Sequence, residues 1–227
     1  MVSAIIVAAG KGSRMGTAST DKVFLSLGSK PVLAWSLLAF ERCTEIDQIV
    51  LVVRKEQLVA AKAMAQMFGI SKIRKIVAGG AKRQDSVMRG LAETDEDTRY
   101  VVIHDGARPC VTSETISDIV KAVKRNPAVV IGRKVVDTIK YVEKGSVITR
   151  TEDRSKLWAV QTPQAFTFSL INRAYKKVEA DKVEVTDDAS AVEHIGESVK
   201  ILETNAAMLK ITTIEDIRLA TALVMGK

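Results

Sequence analysis

The sequence predicts an α/β fold, a mostly parallel sheet with helices on both faces, and three observations carry that expectation. Short runs of Val and Ile recur at Ser3–Val7, Gln48–Val53, Ile73–Val77, Tyr100–His104 and Ala128–Ile131. They are nearly continuous rather than alternating, as in strands buried on both faces. Stretches of helical period separate them, as crossovers between parallel strands require. At 227 residues, 47% hydrophobic and 27% charged, the chain has the size of one large domain and can bury a core without cross-links. One domain over residues 1–227 is expected, with a small β-arm.

Each element has a local reason. Ser29–Lys30–Pro31 predicts a helix start, with serine as N-cap and proline in the first turn, where no N–H is needed. The next helix runs from about Glu56 and stops at Gly69. After Thr112, residues Ile116, Ile119, Val120 and Val123 stand at i, i+3, i+4 and i+7, a single apolar stripe. From Asp137 to about Val160 apolar and polar residues alternate around Glu143–Lys144–Gly145, the pattern of a hairpin. An isolated two-stranded ribbon is marginal, so an arm over 137–160 is expected to lie on the body or, preferably, on a second copy in a homodimer. Thr167–Val178 and Thr186–His194 read as helices, Val199–Leu202 and Met208–Ile211 as strands. Thr213–Met225 reads as a closing helix begun by the Thr213/Asp216 capping pair.

Composition narrows the function classes. Lys and Arg number 34 against 27 Asp and Glu, a net charge of +7 that favours anionic partners. Aromatics are only 4% and the bases are spread along the chain, so nucleic-acid binding is not expected. Two cysteines (Cys43, Cys110) and two histidines (His104, His194) at unrelated spacings suit neither a disulfide framework nor a structural zinc site. The first ten residues hold an apolar run too short for a signal or a membrane span, with its bases after it rather than before. Cytoplasmic residence without membrane association is the expectation.

Several segments carry chemistry. Directly after the first strand comes AAGKGSRMG, residues 8–16, where Gly10 and Gly12 free backbone N–H groups for an anion and Lys11 and Arg14 add charge. Glycines at 10, 12 and 16 do not fit the dinucleotide fingerprint, and the loop lacks the Gly-Lys-Ser/Thr ending of a P-loop. The plainer alternative is a tight turn with two exposed bases. Lys22 by itself reads as a surface lysine. Gly79–Gly80 ends the third strand ahead of Arg83, Asp85 and Ser86 at a helix start, offering backbone groups and a hydroxyl to a base or sugar; the alternative is a capped turn. Asp105 stands at the carboxyl end of a central strand, where open α/β sheets bind ligands, and suits a metal. Arg108 suits a bidentate phosphate clamp. His104 reads as a packed strand residue.

Together, AAGKGSRMG, Lys22, AGGAKRQDSV, HDGARP, VDT, DRSKLWAVQTPQAF, TDDAS and LKITT give the chain a nearly full-length resemblance to a known family. It resembles the 2-C-methyl-D-erythritol 4-phosphate cytidylyltransferases of the non-mevalonate isoprenoid pathway. The resemblance implies a Rossmann-like nucleotidyltransferase fold, a homodimer joined by the arm, and transfer of CMP from CTP to an alcohol phosphate with Mg²⁺ or another divalent cation. Arg14 and Lys22 would then be catalytic. Ala8, Ala9, Gly10, Gly80 and Ser86 would bind the nucleotide, beside Lys11, Gly12 and Arg83. Asp105 would hold the metal, while Arg108, Thr138, Lys210 and, from the partner's arm, Arg154 would position the acceptor. Asp21, where the family commonly has proline, and Met208 depart from the pattern.

Such a reaction needs no catalytic His or Ser, and the sequence contains no G-x-S-x-G elbow. The same-class alternative is a ribitol 5-phosphate cytidylyltransferase. An NADPH-dependent oxidoreductase, with Arg54 on a 2′-phosphate, is a different-class alternative that the glycine spacing disfavours.

Overall fold

The structure is a computed structural model that describes residues 1–10 and 21–226. In chain order its strands are β1 (Val2–Ala8), β2 (Ser26–Leu27), β3 (Lys30–Pro31), β4 (Gln48–Val53), β5 (Ile73–Ala78), β6 (Tyr100–Asp105), β7 (Ala128–Lys134), β8 (Lys140–Val142), β9 (Ile148–Thr151), β10 (Trp158–Thr167) and β11 (Lys200–Glu203). The helices are α1 (Val32–Arg42), α2 (Leu58–Met67), α3 (Arg83–Ala92), α4 (Ser113–Val123), α5 (Phe168–Asp181), α6 (Asp188–His194) and α7 (Ile214–Met225).

Alternation along each central strand divides the apolar residues between two cores. Ala4, Ile6, Ile49 and Leu51 pack with Leu33, Leu37 and Phe40 of α1, Met64 of α2 and the Ile116–Val123 stripe of α4. Ile5, Val50, Val52 and Ile103 pack on the other face with Val87 of α3, Ile171 and Tyr175 of α5 and Val192 of α6. Strands buried on both sides need apolar residues at every position, so they appear as unbroken runs. A third cluster seats α7, through Ala220 and Val224, on Leu27, Val32 and Ile211.

The seven-stranded sheet has the order β11-β7-β10-β6-β1-β4-β5. β6, β1, β4 and β5 are mutually parallel, as expected, and so are β7 and β11. β10 runs antiparallel between β6 and β7. Pro163 argues against an interior strand in this stretch, but the register shifts between Val160 and Gln164, so the proline falls at an irregularity in the ladder.

Three local expectations are corrected. The first helix begins at Val32, with Pro31 rather than Ser29 as N-cap, because Lys30–Pro31 pairs back on Ser26–Leu27 around Gly28 at φ +62°. Met208–Ile211 is not a strand: Met208 and Ile211 give their carbonyls to Arg108 (2.6 Å) and Lys22 (3.0 Å). The hairpin is β8–β9, and Trp158–Val160 belongs to β10 of the main sheet rather than to the arm. The Thr213/Asp216 capping box is present as expected. No helix among the described residues is long and apolar enough to cross a membrane.

Candidate active site

The parallel register of β6, β1, β4 and β5 brings their carboxyl ends side by side, where open α/β sheets form a crevice. A cavity of about 420 Å³ opens there. Ala8, Ala9 and Gly10 line it after β1, Arg54 after β4, Gly79 and Gly80 after β5, and Asp105 at the end of β6, with Lys22, Lys210 and Thr212 closing it from the side. Six cationic side chains (Lys22, Arg54, Lys55, Lys82, Arg83 and Lys210) line it against the carboxylates of Glu56 and Asp105. Such a wall attracts a polyanion.

Asp105 is the electrostatic centre. Its Oδ1 accepts from Arg83 Nε at 2.9 Å and its Oδ2 from Lys210 Nζ at 2.7 Å, with Arg108 Nε 3.7 Å away. Burial alone pushes the carboxyl up, but the charges of Arg83 and Lys210 overcome it and hold it well below the usual carboxylate range. The residue is ionised throughout the physiological range.

Behind it the backbone is braced. Asp105 N–H donates to Thr162 Oγ1 (3.1 Å), which lies 3.2 Å from His104 Nδ1, while His104 Nε2 lies 3.3 Å from the Arg108 carbonyl. Burial pushes the imidazole down to about 3, so it is neutral at neutral pH. A ring that donates from Nε2 and accepts the threonine hydroxyl at Nδ1 satisfies every group in this chain. His104 is therefore a packed strand residue, as expected, and Thr162 is a brace that no motif signalled.

The glycine pair after β5 has a steric reason. A Cβ on Gly79 would collide with Ala9 and Ser86, and one on Gly80 with Asp85. Without them the β1 and β5 turns approach each other and the start of α3. Ser86 accepts from Gly80 N–H (3.1 Å) and donates to the Lys82 carbonyl (3.2 Å), shaping the turn at the cavity wall. Arg83 lines the cavity while its guanidinium is committed to Asp105 and Asp188.

Lys22 is a wall residue rather than an ordinary surface lysine. The preceding Asp21 is buried and binds Arg54 Nε at 2.9 Å, tying this segment to the end of β4. Arg54 is thus engaged where the oxidoreductase alternative wanted a phosphate clamp. Burial pushes the Asp21 carboxyl up, against the lowering pull of Arg54.

Other expected site residues fall elsewhere. Arg108 is largely buried and donates to the Met208 carbonyl, outside the cavity wall. Thr138 and Arg154 are exposed on the arm, Arg154 donating to the Val136 carbonyl at 2.6 Å. One chain does not bring them to the cavity lining. Lys11, Gly12 and Arg14 lie outside the described residues.

Comparisons with known proteins agree with this geometry. A profile of the 2-C-methyl-D-erythritol 4-phosphate cytidylyltransferase family matches residues 2–226. The chain is 42% identical over 217 residues to the protein of that name from Alkaliphilus metalliredigens, covering 95% of this chain and 90% of that one. It is also 42% identical over 225 residues to the protein of that name from Halalkalibacterium halodurans, covering 99% and 97%. Among solved structures, 4-diphosphocytidyl-2C-methyl-D-erythritol synthase from Anaerococcus prevotii superposes with a TM-score of 0.86 at 34% identity, over 99% of this chain and 98% of that one. Sheet order, crevice and sequence converge: the chain belongs to the 2-C-methyl-D-erythritol 4-phosphate cytidylyltransferase family.

Proposed function

We propose that this chain transfers CMP from CTP to 2-C-methyl-D-erythritol 4-phosphate, releasing pyrophosphate, in the supply of isoprenoid precursors. The observation that carries the reading is the cation-walled crevice around one ionised carboxylate, Asp105. An alkyl phosphate has a second pKa of about 6, so the acceptor arrives largely as a dianion. One of its oxygens attacks the α-phosphorus of CTP, the bond from that phosphorus to the bridging oxygen breaks, and pyrophosphate leaves with the electron pair. No proton has to be removed. The barrier comes from gathering anions in line, and positioned cations lower it.

Within this reading Ala8, Ala9, Gly10, Gly80 and Ser86 hold the nucleotide, and Lys22 and Arg14 stabilise charge on the triphosphate. Lys210, with Arg108, Thr138 and an Arg154 from a second copy, positions the acceptor. The exposed ribbon supports the dimer: Tyr141, Val142, Val147 and Ile148 present apolar surface on a two-stranded sheet with no third strand among the described residues.

Asp105 is the carboxylate that the family resemblance gives to a divalent cation, but its Oδ1 accepts from Arg83 and its Oδ2 from Lys210, so the residues as they stand do not fit a cation there. Magnesium is commonly bound through one or two carboxylates together with substrate phosphates, and on this wall the substrate phosphates are the donors that carry no cation already. When bound, the ion offsets charge developing on the triphosphate. The basic crevice supports an enzyme of small anions, and the cytoplasm is the location proposed for it.

The test is pyrophosphate release with CTP, UTP or ATP against methylerythritol phosphate and ribitol 5-phosphate. Turnover with CTP and methylerythritol phosphate is expected, and turnover with the pentitol phosphate alone overturns the acceptor assignment.

A further inference from the structure

Among the described residues, Arg54 and Arg83 are the arginines of the cavity wall, and their guanidinium groups are placed differently. Arg83 gives both terminal nitrogens to Asp188, at 3.0 and 2.8 Å, and its Nε to Asp105. Arg54 gives Nε to Asp21 Oδ2 at 2.9 Å, and its terminal nitrogens bond to none of the described residues. The bond to Asp21 thus leaves the fork of Arg54 open.

That fork is also aimed. The Asp21 side chain is 1% exposed against 28% for Arg54, so the carboxylate grips Nε from the protein side and the terminal nitrogens are left to the cavity. Val53 pairs with Ala8 on one side and Ala78 on the other, so Arg54, the next residue, emerges between the turns that follow β1 and β5. Asp21 directly precedes Lys22, so the same bond holds Arg54 beside a lysine of the wall. A planar fork next to an ammonium matches the oxygens of a phosphate. Asp21 Oδ1 is buried with no hydrogen bond among the described residues. A carboxylate left that way costs stability, so stability alone does not account for the pair.

We propose that Arg54 is a further nucleotide-binding residue, a two-pronged donor to the phosphates of CTP, and that Asp21 is the positioning residue that aims it. The inference rests on the crevice being the CTP site and involves neither the acceptor nor a metal. Asp21 acts through geometry, because its charge alone would weaken the binding of an anion.

The test is equilibrium binding of CTP, and of cytidine, which lacks the phosphates, to the full chain, with melting curves alongside. Arg54→Gln should weaken CTP by about 10- to 100-fold, the scale for losing hydrogen bonds to a charged group, and leave cytidine within about twofold. Arg54→Lys, which keeps the charge without the fork, should recover only part of the loss. Asp21→Asn should weaken CTP a few-fold although it removes a negative charge, and should add nothing in the Arg54→Gln background. Arg54→Gln strands a buried carboxylate, so the double variant Asp21→Asn/Arg54→Gln decides the matter if the single one does not fold. If the parent does not bind CTP, the proposed function itself fails. If the parent binds CTP and a folded Arg54→Gln, or the double variant in its stead, binds it as tightly or loses cytidine equally, the role of Arg54 alone is overturned. An Asp21→Asn variant that binds CTP as tightly as the parent, or more tightly, overturns the positioning role of Asp21.

Discussion

The Lys210 ammonium lies 2.7 Å from Asp105 Oδ2, although 105 positions separate the two residues. The contact neutralises the carboxylate in the ligand-free protein and places a cation at the cavity wall, ready for an incoming phosphate. Lys210→Gln removes that charge while keeping most of the side chain's volume. A loss in kcat of about 10²-fold is expected, the scale for one electrostatic stabiliser. Steady-state kinetics check it, and a kcat within twofold of the parent would take Lys210 out of the mechanism.

Asp216 holds the segment that carries Lys210. Its Oδ2 accepts the Thr212 hydroxyl (2.7 Å) and the N–H groups of Thr212 and Thr213 (both 2.8 Å), so α7 is capped and Thr212 is fixed at the cavity. The Thr212 hydrogen bond leads in holding the carboxyl below its ordinary value. A carboxyl lowered in the fold binds fewer protons there than in the unfolded chain. Its stabilisation is therefore complete above the unfolded value near 3.9 and is lost as pH falls through the lowered one. Asp216→Ala should cost about 1 kcal/mol at neutral pH, the usual loss for a cap, and about 2–4 °C in Tm for a chain of this size. The gap to the parent should close in acid. Melting curves from pH 7 to pH 3 measure it, and a gap that stays constant would show that the cap acts without its charge.

How much of this was legible in the sequence depends on where each group finds its partner. The Val and Ile runs of β1, β4 and β6 showed their strands because burial on both faces demands apolar residues at every position, whereas Ile73–Val77, expected to be buried likewise, forms the sheet edge with Arg74 and Lys75 exposed. Asp105 and the glycine turns stood out because strand ends in such sheets are where ligands bind. Met208–Ile211 misled because its apolar spacing resembles a strand while its carbonyls serve Lys22 and Arg108. Asp188 was visible only within a helix-start motif, since nothing local says that its carboxylate meets an arginine 105 positions away. β10 was hidden by Pro163, which an interior strand accommodates here because it falls where the β7 ladder is interrupted and before the β6 ladder begins.

Lys22 donates to the Ile211 carbonyl at 3.0 Å and faces the same cavity as Lys210, and Arg14 belongs to the basic, glycine-rich sequence that precedes it. Lys22→Ala and Arg14→Ala should each lower kcat by about 10²–10³-fold. Lys22 belongs to neither large core, and for both variants Tm should hold within about 2 °C, equivalent to roughly 1 kcal/mol or less. Rates and melts on each purified variant separate the two effects. Near-parent turnover in either variant would remove that residue from the charge-stabilising set.

Arg154 sits on an exposed arm, donating to the Val136 carbonyl and outside the cavity wall of its own chain. For its guanidinium to contact the acceptor, the arm must reach across to a second copy. Arg154→Ala and Lys22→Ala homodimers should then each be nearly inactive. A mixed dimer carries one site in which the intact Lys22 of one chain meets the intact Arg154 of the other, and a second site lacking both. Mixing and re-equilibrating the two inactive variants should therefore restore activity toward one quarter of the parent level, because about half the dimers are mixed and each has one good site of two, given random exchange of equally stable subunits. Sedimentation of the parent should give a dimer, and replacing residues 140–151 by a short turn should give a monomer. A fully active monomer, or no recovery on mixing when exchange is shown by differently tagged subunits, would place Arg154 outside the partner's site.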